Sequence, residues 1–106
     1  MSFSHADSAI SVERIVEAYA SIPRVFRDSP QFVDEGLSRQ LGLRLLCKVE
    51  CVNPIRSFKG RGAWYLLARG GRSSGPLVTA SAGNFGQGLA YAARECGQPL
   101  VIFAAA

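Results

Sequence analysis

The chain has 106 residues, 48% of them hydrophobic and 19% charged, which allows one ordinary globular domain with a modest core and excludes a disordered polymer. The net charge is +4, but ten of the twelve basic residues are arginines scattered from Arg14 to Arg94, without the stripe that a nucleic-acid surface concentrates. No apolar run approaches the roughly 20 residues of a membrane span, and Met1 to Ser11 has no basic start followed by an apolar stretch, so no membrane, no nucleic acid and a cytoplasmic location are expected.

Residues 1–10 read as a flexible tail. Ser11 caps a helix with Glu13 in its first turn, and Val12, Ile15, Val16 and Tyr19 follow helical spacing. Ile22-Pro23 ends it, because the residue before proline is pushed out of the helical region. Arg24 to Gln31 reads as irregular, Phe32-Val33 as a short strand, and Asp34 to Leu41 as a short helix stopped by Gly42. Leu43 to Val52 reads as a covered strand and Asn53-Pro54 as a turn.

Ser57 is placed to cap a helix running to about Arg69, which Gly70-Gly71 ends, and Arg72 to Pro76 forms a loop. Leu77 to Ala80 is expected to be a short buried strand. A helix from Asn84 to Glu95 follows, ending at Cys96-Gly97, and Leu100 to Phe103 forms another buried strand. This alternation from residue 43 onward predicts an α/β unit with a parallel sheet and βαβ crossovers.

Cys47, Cys51 and Cys96 form no C-x-x-C pair, and the single histidine is His5. That set does not make a zinc site, so no metal is expected and the cysteines read as buried reduced thiols.

Two corners carry the chemistry. In parallel α/β units the loops after the strands share one edge of the sheet, where ligands bind. That topology lets Lys59 and Asn84 face one crevice. Each corner starts a helix, whose first-turn N–H groups attract anions. Gly83, Gly86 and Gly88, with the small Ser81 and Ala82, allow close approach to the backbone. Taken alone, this corner equally fits glycine and asparagine serving turn geometry only. The G-x-x-G-x-G spacing is not the dinucleotide fingerprint, and the glycine beside Lys59 follows rather than precedes it, so a phosphate loop is excluded. Lys59 is one of two lysines and sits in a first helical turn, where the dipole disfavours a cation. A lysine attacks a carbonyl only as the free amine.

At these residues a family resemblance emerges. Ser57-Phe58-Lys59-Gly60-Arg61-Gly62-Ala63 resembles the S-F-K-x-R-G-A signature of fold-type II pyridoxal-phosphate enzymes, the group of threonine and serine dehydratases, serine racemase and threonine synthase. Ser81 to Ala90 resembles the second signature of the dehydratase branch, and Lys48-Val49-Glu50 stands where that family has K-x-E. The resemblance implies the N-terminal part of a tryptophan synthase beta-like fold, with residues 11–106 forming a partial cofactor-binding α/β domain. It implies pyridoxal 5'-phosphate as cofactor, held by Lys59 as a Schiff base. Lys59 then serves as the base at the substrate Cα, with Phe58 on the pyridine ring and Asn84 bonding the ring oxygen. Ser81, Ala82, Gly83 and Asn84 are implied to hold the substrate carboxylate.

The reaction implied is ammonia release from threonine or serine, giving a 2-oxo acid, in amino-acid metabolism such as isoleucine biosynthesis, by a full-length homo-oligomer. Ala82 stands where serine racemases place a second serine, which favours elimination. Phe85 replaces the usual histidine of the second motif, a departure from the threonine dehydratase pattern. The alternatives are threonine synthase, another β-replacement enzyme, or a non-catalytic remnant. The family's cup for the cofactor phosphate is expected beyond Ala106, so the chain is expected to be a truncated piece that does not catalyse the reaction alone.

Overall fold

A computed structural model describes residues 10–70 and 73–105, so the expected tail at 1–10 lies, but for Ile10, outside the described residues, as do Gly71 and Arg72 of the expected loop. Helix α1 spans Val12–Ser21, and the Ser11 hydroxyl accepts from Arg14 N at 3.2 Å, the cap expected of it. Its apolar positions Val12, Ile15, Val16 and Tyr19 are nevertheless exposed, so the helical period is real but its face is largely uncovered.

The stretch expected to be irregular holds a helical turn, α2 (Arg24–Arg27), which starts directly after Pro23. Proline suits the entry to a helix because its φ is already near the helical value. α2 delivers Phe26, the largest fully buried side chain among the described residues.

Strand β1 (Gln31–Val33) pairs antiparallel with β2 (Leu46–Lys48), with Phe32 opposite Cys47. Between them α3 (Glu35–Leu41) is capped by Asp34, whose carboxylate accepts from Leu37 N at 2.8 Å, and stops at Gly42, which takes the left-handed φ of 66°. The covered strand expected over 43–52 is therefore only three residues long.

Helix α4 spans Lys59–Gly70, β3 Leu77–Ala80, α5 Asn84–Cys96 and β4 Leu100–Phe103. β3 and β4 pair in parallel, Leu77 opposite Leu100, with α5 as the connection. The expectation of one parallel sheet running from residue 43 is corrected here: β2 pairs with β1, and β3 with β4. β2 pairs along one edge with β1, a local antiparallel partner that hydrophobic pattern alone does not reveal.

The expected burial of β3 and β4 is corrected too. Both alternate, with Val78 at 65% and Phe103 at 64% exposure on the open face. One face is covered and the other is not. Nor are the cysteines buried: Cys51 is exposed, and Cys47 and Cys96 are intermediate.

The core lies between α4 and α5, where Ala63, Leu89, Ala92 and Ala93 are buried. Small residues let the two helices approach closely. Phe26 closes one side of that contact, its ring edge-on to Tyr91 with centroids 5.2 Å apart. A Cβ built on Gly60 would land in the Phe26 ring, 2.7 Å from Cδ1 and 2.9 Å from Cζ. Among the described residues no helix is long and apolar enough to cross a membrane.

Candidate active site

The first corner is built by side chains. After β2 the chain enters a turn that closes on Asn53, which is 5% exposed. The Asn53 carbonyl accepts from Arg56 N at 2.9 Å, and its Oδ1 accepts from Ile55 N at 3.1 Å and Ser57 N at 3.3 Å. Its Nδ2 donates to Ser57 O at 2.8 Å and to a Glu50 carboxylate oxygen at 3.3 Å. Within this turn Arg56 holds a φ of 55°, in the left-handed region that costs a side-chain-bearing residue roughly 1–2 kcal/mol.

Ser57, expected as the helix cap, is buried, and its hydroxyl accepts from Lys59 N at 3.2 Å. Lys59 opens α4 as expected. It is exposed, and among the described residues it forms no salt bridge. Its Nζ lies 5.1 Å from the centre of the Phe58 ring, itself 61% exposed.

The K-x-E and lysine motifs meet behind this turn. Lys48 Nζ donates to the carbonyls of Arg27 and Ser29 at 3.0 and 3.1 Å. Glu50 accepts from the Ser29 hydroxyl at 3.1 Å and pairs with the Arg61 guanidinium, which also donates to Phe26 O at 3.1 Å. The second lysine of the chain is thus committed to carbonyls, and Lys59 is left with an open amine.

The second corner is built by backbone and small residues. The Ser81 hydroxyl accepts from Gly83 N at 3.3 Å and from Gly86 N at 3.0 Å, satisfying N–H groups that would otherwise be orphaned at the start of α5. Gly86 passes so close that an added Cβ would sit 3.1 Å from Ser81 Cβ. Ala82, Gly83 and Asn84 are exposed. A hollow of about 250 Å³ opens here, lined by Ser81, Ala82, Gly83, Gly86 and Gln87 among others. Among the described residues the Asn84 carboxamide has no hydrogen-bond partner, and Phe85 is half-buried.

The two corners are joined by helix packing, not by one sheet edge as the topology argument expected. A Cβ on Gly88 would meet Ala63 Cβ at 3.1 Å, Lys59 O at 3.2 Å and Ile55 Cδ1 at 3.3 Å. The first residue of α4 therefore lies against the fifth of α5, which brings the two N-termini to the same end of the pair. Lys59 itself does not line the hollow at the second corner.

Sequence reasoning missed the support of this site. Phe26 lies in a stretch with no regular pattern. In the sequence Asn53 marks only a turn, and Glu50 and Arg61 are only members of motifs. A short polar side chain just before proline, with a carboxylate three residues earlier, was the available signal.

The arrangement fits an aldehyde-bearing aromatic cofactor on chemical grounds: an accessible primary amine with no ion-pair partner among the described residues, an exposed flat ring beside it, and the exposed backbone of Ala82 and Asn84 on the packed neighbour. Comparison with known proteins points the same way. Residues 25–106 match the model of the pyridoxal-phosphate dependent enzyme family. The L-threonine dehydratase biosynthetic IlvA of Lactococcus lactis is 36% identical over 97 residues, 89% of this chain and 23% of that protein. The proteins of the same name from Staphylococcus aureus and Staphylococcus epidermidis are 33% identical over 99 residues and 34% over 97, covering 91% and 89% of this chain and 23% of each relative. The chain thus spans about a quarter of the length of these relatives. With its lysine turn and its serine-capped loop held on two packed helices, the chain belongs to the pyridoxal-phosphate dependent enzymes and resembles their threonine dehydratase branch.

Proposed function

We propose that the full-length protein carrying this chain is a threonine or serine ammonia-lyase that yields a 2-oxo acid and ammonia. The observation that carries the reading is the contact of Gly88 with the Lys59 carbonyl, which sets the lysine turn and the small-residue loop at one end of a helix pair. The names of the relatives support the choice of substrate and a biosynthetic setting. A homo-oligomer in the cytoplasm is part of the same proposal.

When bound, pyridoxal phosphate supplies the electron sink that stabilises negative charge at the substrate Cα. Lys59 would hold the cofactor covalently and move the proton at Cα. Phe58, exposed beside it, would pack against the cofactor ring. The Asn84 carboxamide, without a partner among the described residues, would donate to the cofactor. The loop of Ser81, Ala82, Gly83 and Asn84 would hold the substrate carboxylate through the N–H groups of Ala82 and Asn84, since those of Ser81 and Gly83 already donate to Phe103 O and the Ser81 hydroxyl, with small side chains keeping the approach open. Ala82 carries no hydroxyl to exchange a proton, which favours elimination over racemisation.

The test is ammonia and 2-oxo acid release by the full-length protein from threonine and from serine. Lys59→Ala is expected to abolish the borohydride-fixed cofactor adduct and lower turnover by about 10²–10⁴-fold. Melting should hardly move, because exposed substitutions change stability by about 0.5 kcal/mol or less. A substituted amino acid formed from an O-activated serine, with no ammonia from threonine, would replace the lyase reading with β-replacement.

A further inference from the structure

We infer that Asn53 is the positioning residue for Lys59, acting through Ser57. This deepens the proposal above and rests on its reading of Lys59 as the cofactor lysine. Pro54 has no N–H, and the next three N–H groups, those of Ile55, Arg56 and Ser57, all donate to Asn53. The carbonyl of Ser57 returns to the same residue by accepting from Nδ2. Every backbone bond that shapes the turn from 53 to 57 therefore ends on one buried side chain and its own carbonyl. Ser57 then passes the constraint on, because its hydroxyl accepts from Lys59 N.

The carboxamide is required in one orientation. Its oxygen faces two N–H donors and its nitrogen faces a carbonyl and the Glu50 carboxylate. Turning it over would oppose like partners at all four contacts. Glu50 is held in turn by Arg61 and Ser29, so Asn53 is tied to the base of α4 and to the loop after α2. The same bonds hold Arg56 at its positive φ, a conformation that persists only where its surroundings over-determine it. Aspartate keeps the acceptor but cannot donate, and it would set a second carboxylate against Glu50. Alanine loses both functions.

The experiment compares the full-length protein with Asn53→Ala and Asn53→Asp by amide hydrogen exchange. It also measures the ratio of Lys59 to Lys48 adduct after treatment with pyridoxal phosphate and borohydride. In Asn53→Ala, exchange at Ser57 and Lys59 is expected to rise about tenfold, with α5 and β3–β4 unchanged, and in both variants the Lys59 to Lys48 ratio is expected to fall. Protection of Ile55 and Ser57, which share the Oδ1 acceptor, should survive better in Asn53→Asp, which retains it. Unchanged protection at Ser57 and Lys59 in Asn53→Ala overturns the inference, and so does a uniform loss across the whole molecule, which marks a merely structural role. Absence of any Lys59 adduct in the unsubstituted protein defeats the reading of Lys59 instead. The localised exchange change then still decides whether Asn53 positions the turn.

Discussion

The two corners of the site solve the same problem by opposite means. At the lysine turn, buried and half-buried polar side chains define the backbone: Asn53 closes the turn, Ser57 meets Lys59 N, and Glu50 with Arg61 braces the base. At the small-residue loop one hydroxyl, that of Ser81, holds two N–H groups, and absent side chains do the rest. On the proposed reading the first corner delivers one amine to one place, which suits its over-determined turn. The second keeps the N–H groups of Ala82 and Asn84 open, and bulk or further internal bonds there would consume them. A braced turn and an open loop are thus encoded by different residue classes.

The comparison can be broken most severely at the seam between the corners. Gly88→Val places a branched side chain where even a single Cβ already stands 3.1–3.3 Å from Ala63, Lys59 O and Ile55. A loss of about 1–3 kcal/mol is expected by chemical denaturation, together with a reduced Lys59 adduct, because α4 must shift. An unchanged midpoint and adduct would show that the helices are not seated on that contact.

Ser81→Ala probes the second corner alone. Removal of the acceptor for Gly83 N and Gly86 N should cost about 1 kcal/mol and raise the exchange of those two amides, leaving Ser57 and Lys59 protected. Loss of protection at both corners would mean that they are not independently built.

The smallest effect is expected away from both corners, at Asp28. Arg24 Nε donates to its carboxylate at 2.6 Å, and this hydrogen bond, with desolvation opposing it, holds the Asp28 pKa below the ordinary aspartate value. A group depressed in the folded state contributes stability above its unfolded pKa and loses it as pH falls through the folded one. Asp28→Asn should therefore leave melting near neutral pH almost unchanged and slightly flatten its decline below about pH 4. Because both partners are exposed and screened, a large change at neutral pH would be inconsistent with this account.

Much of the local structure was legible. Ser11 and Asp34 stand before their helices, Gly42 and Gly97 end theirs in the left-handed region, and the lysine and the asparagine open α4 and α5. These features depend on neighbours within about four residues, where residue type and backbone geometry are directly linked. The single parallel sheet was not borne out, because strand pairing is decided between segments. β2 has the composition of a covered strand, yet its partner is β1, fifteen residues earlier in register at Phe32 and Cys47. The support for Lys59 was hidden for the same reason. Glu50 and Arg61 are eleven residues apart, and Ser29 and Glu50 twenty-one.

By itself the sequence determined the limits of α1, α3, α4 and α5 to within a residue or two, the placement of Lys59 and Asn84 at helix starts, and the family, because caps, glycines and short motifs act over local distances. Tertiary structure alone decided that α4 and α5 pack at Ala63 and Gly88, that Phe26 lies against Gly60 and Tyr91, and that Asn53 gathers the lysine turn. Those outcomes depend on which surfaces meet, and close packing and buried hydrogen bonds are settled only when distant segments share the same few ångströms.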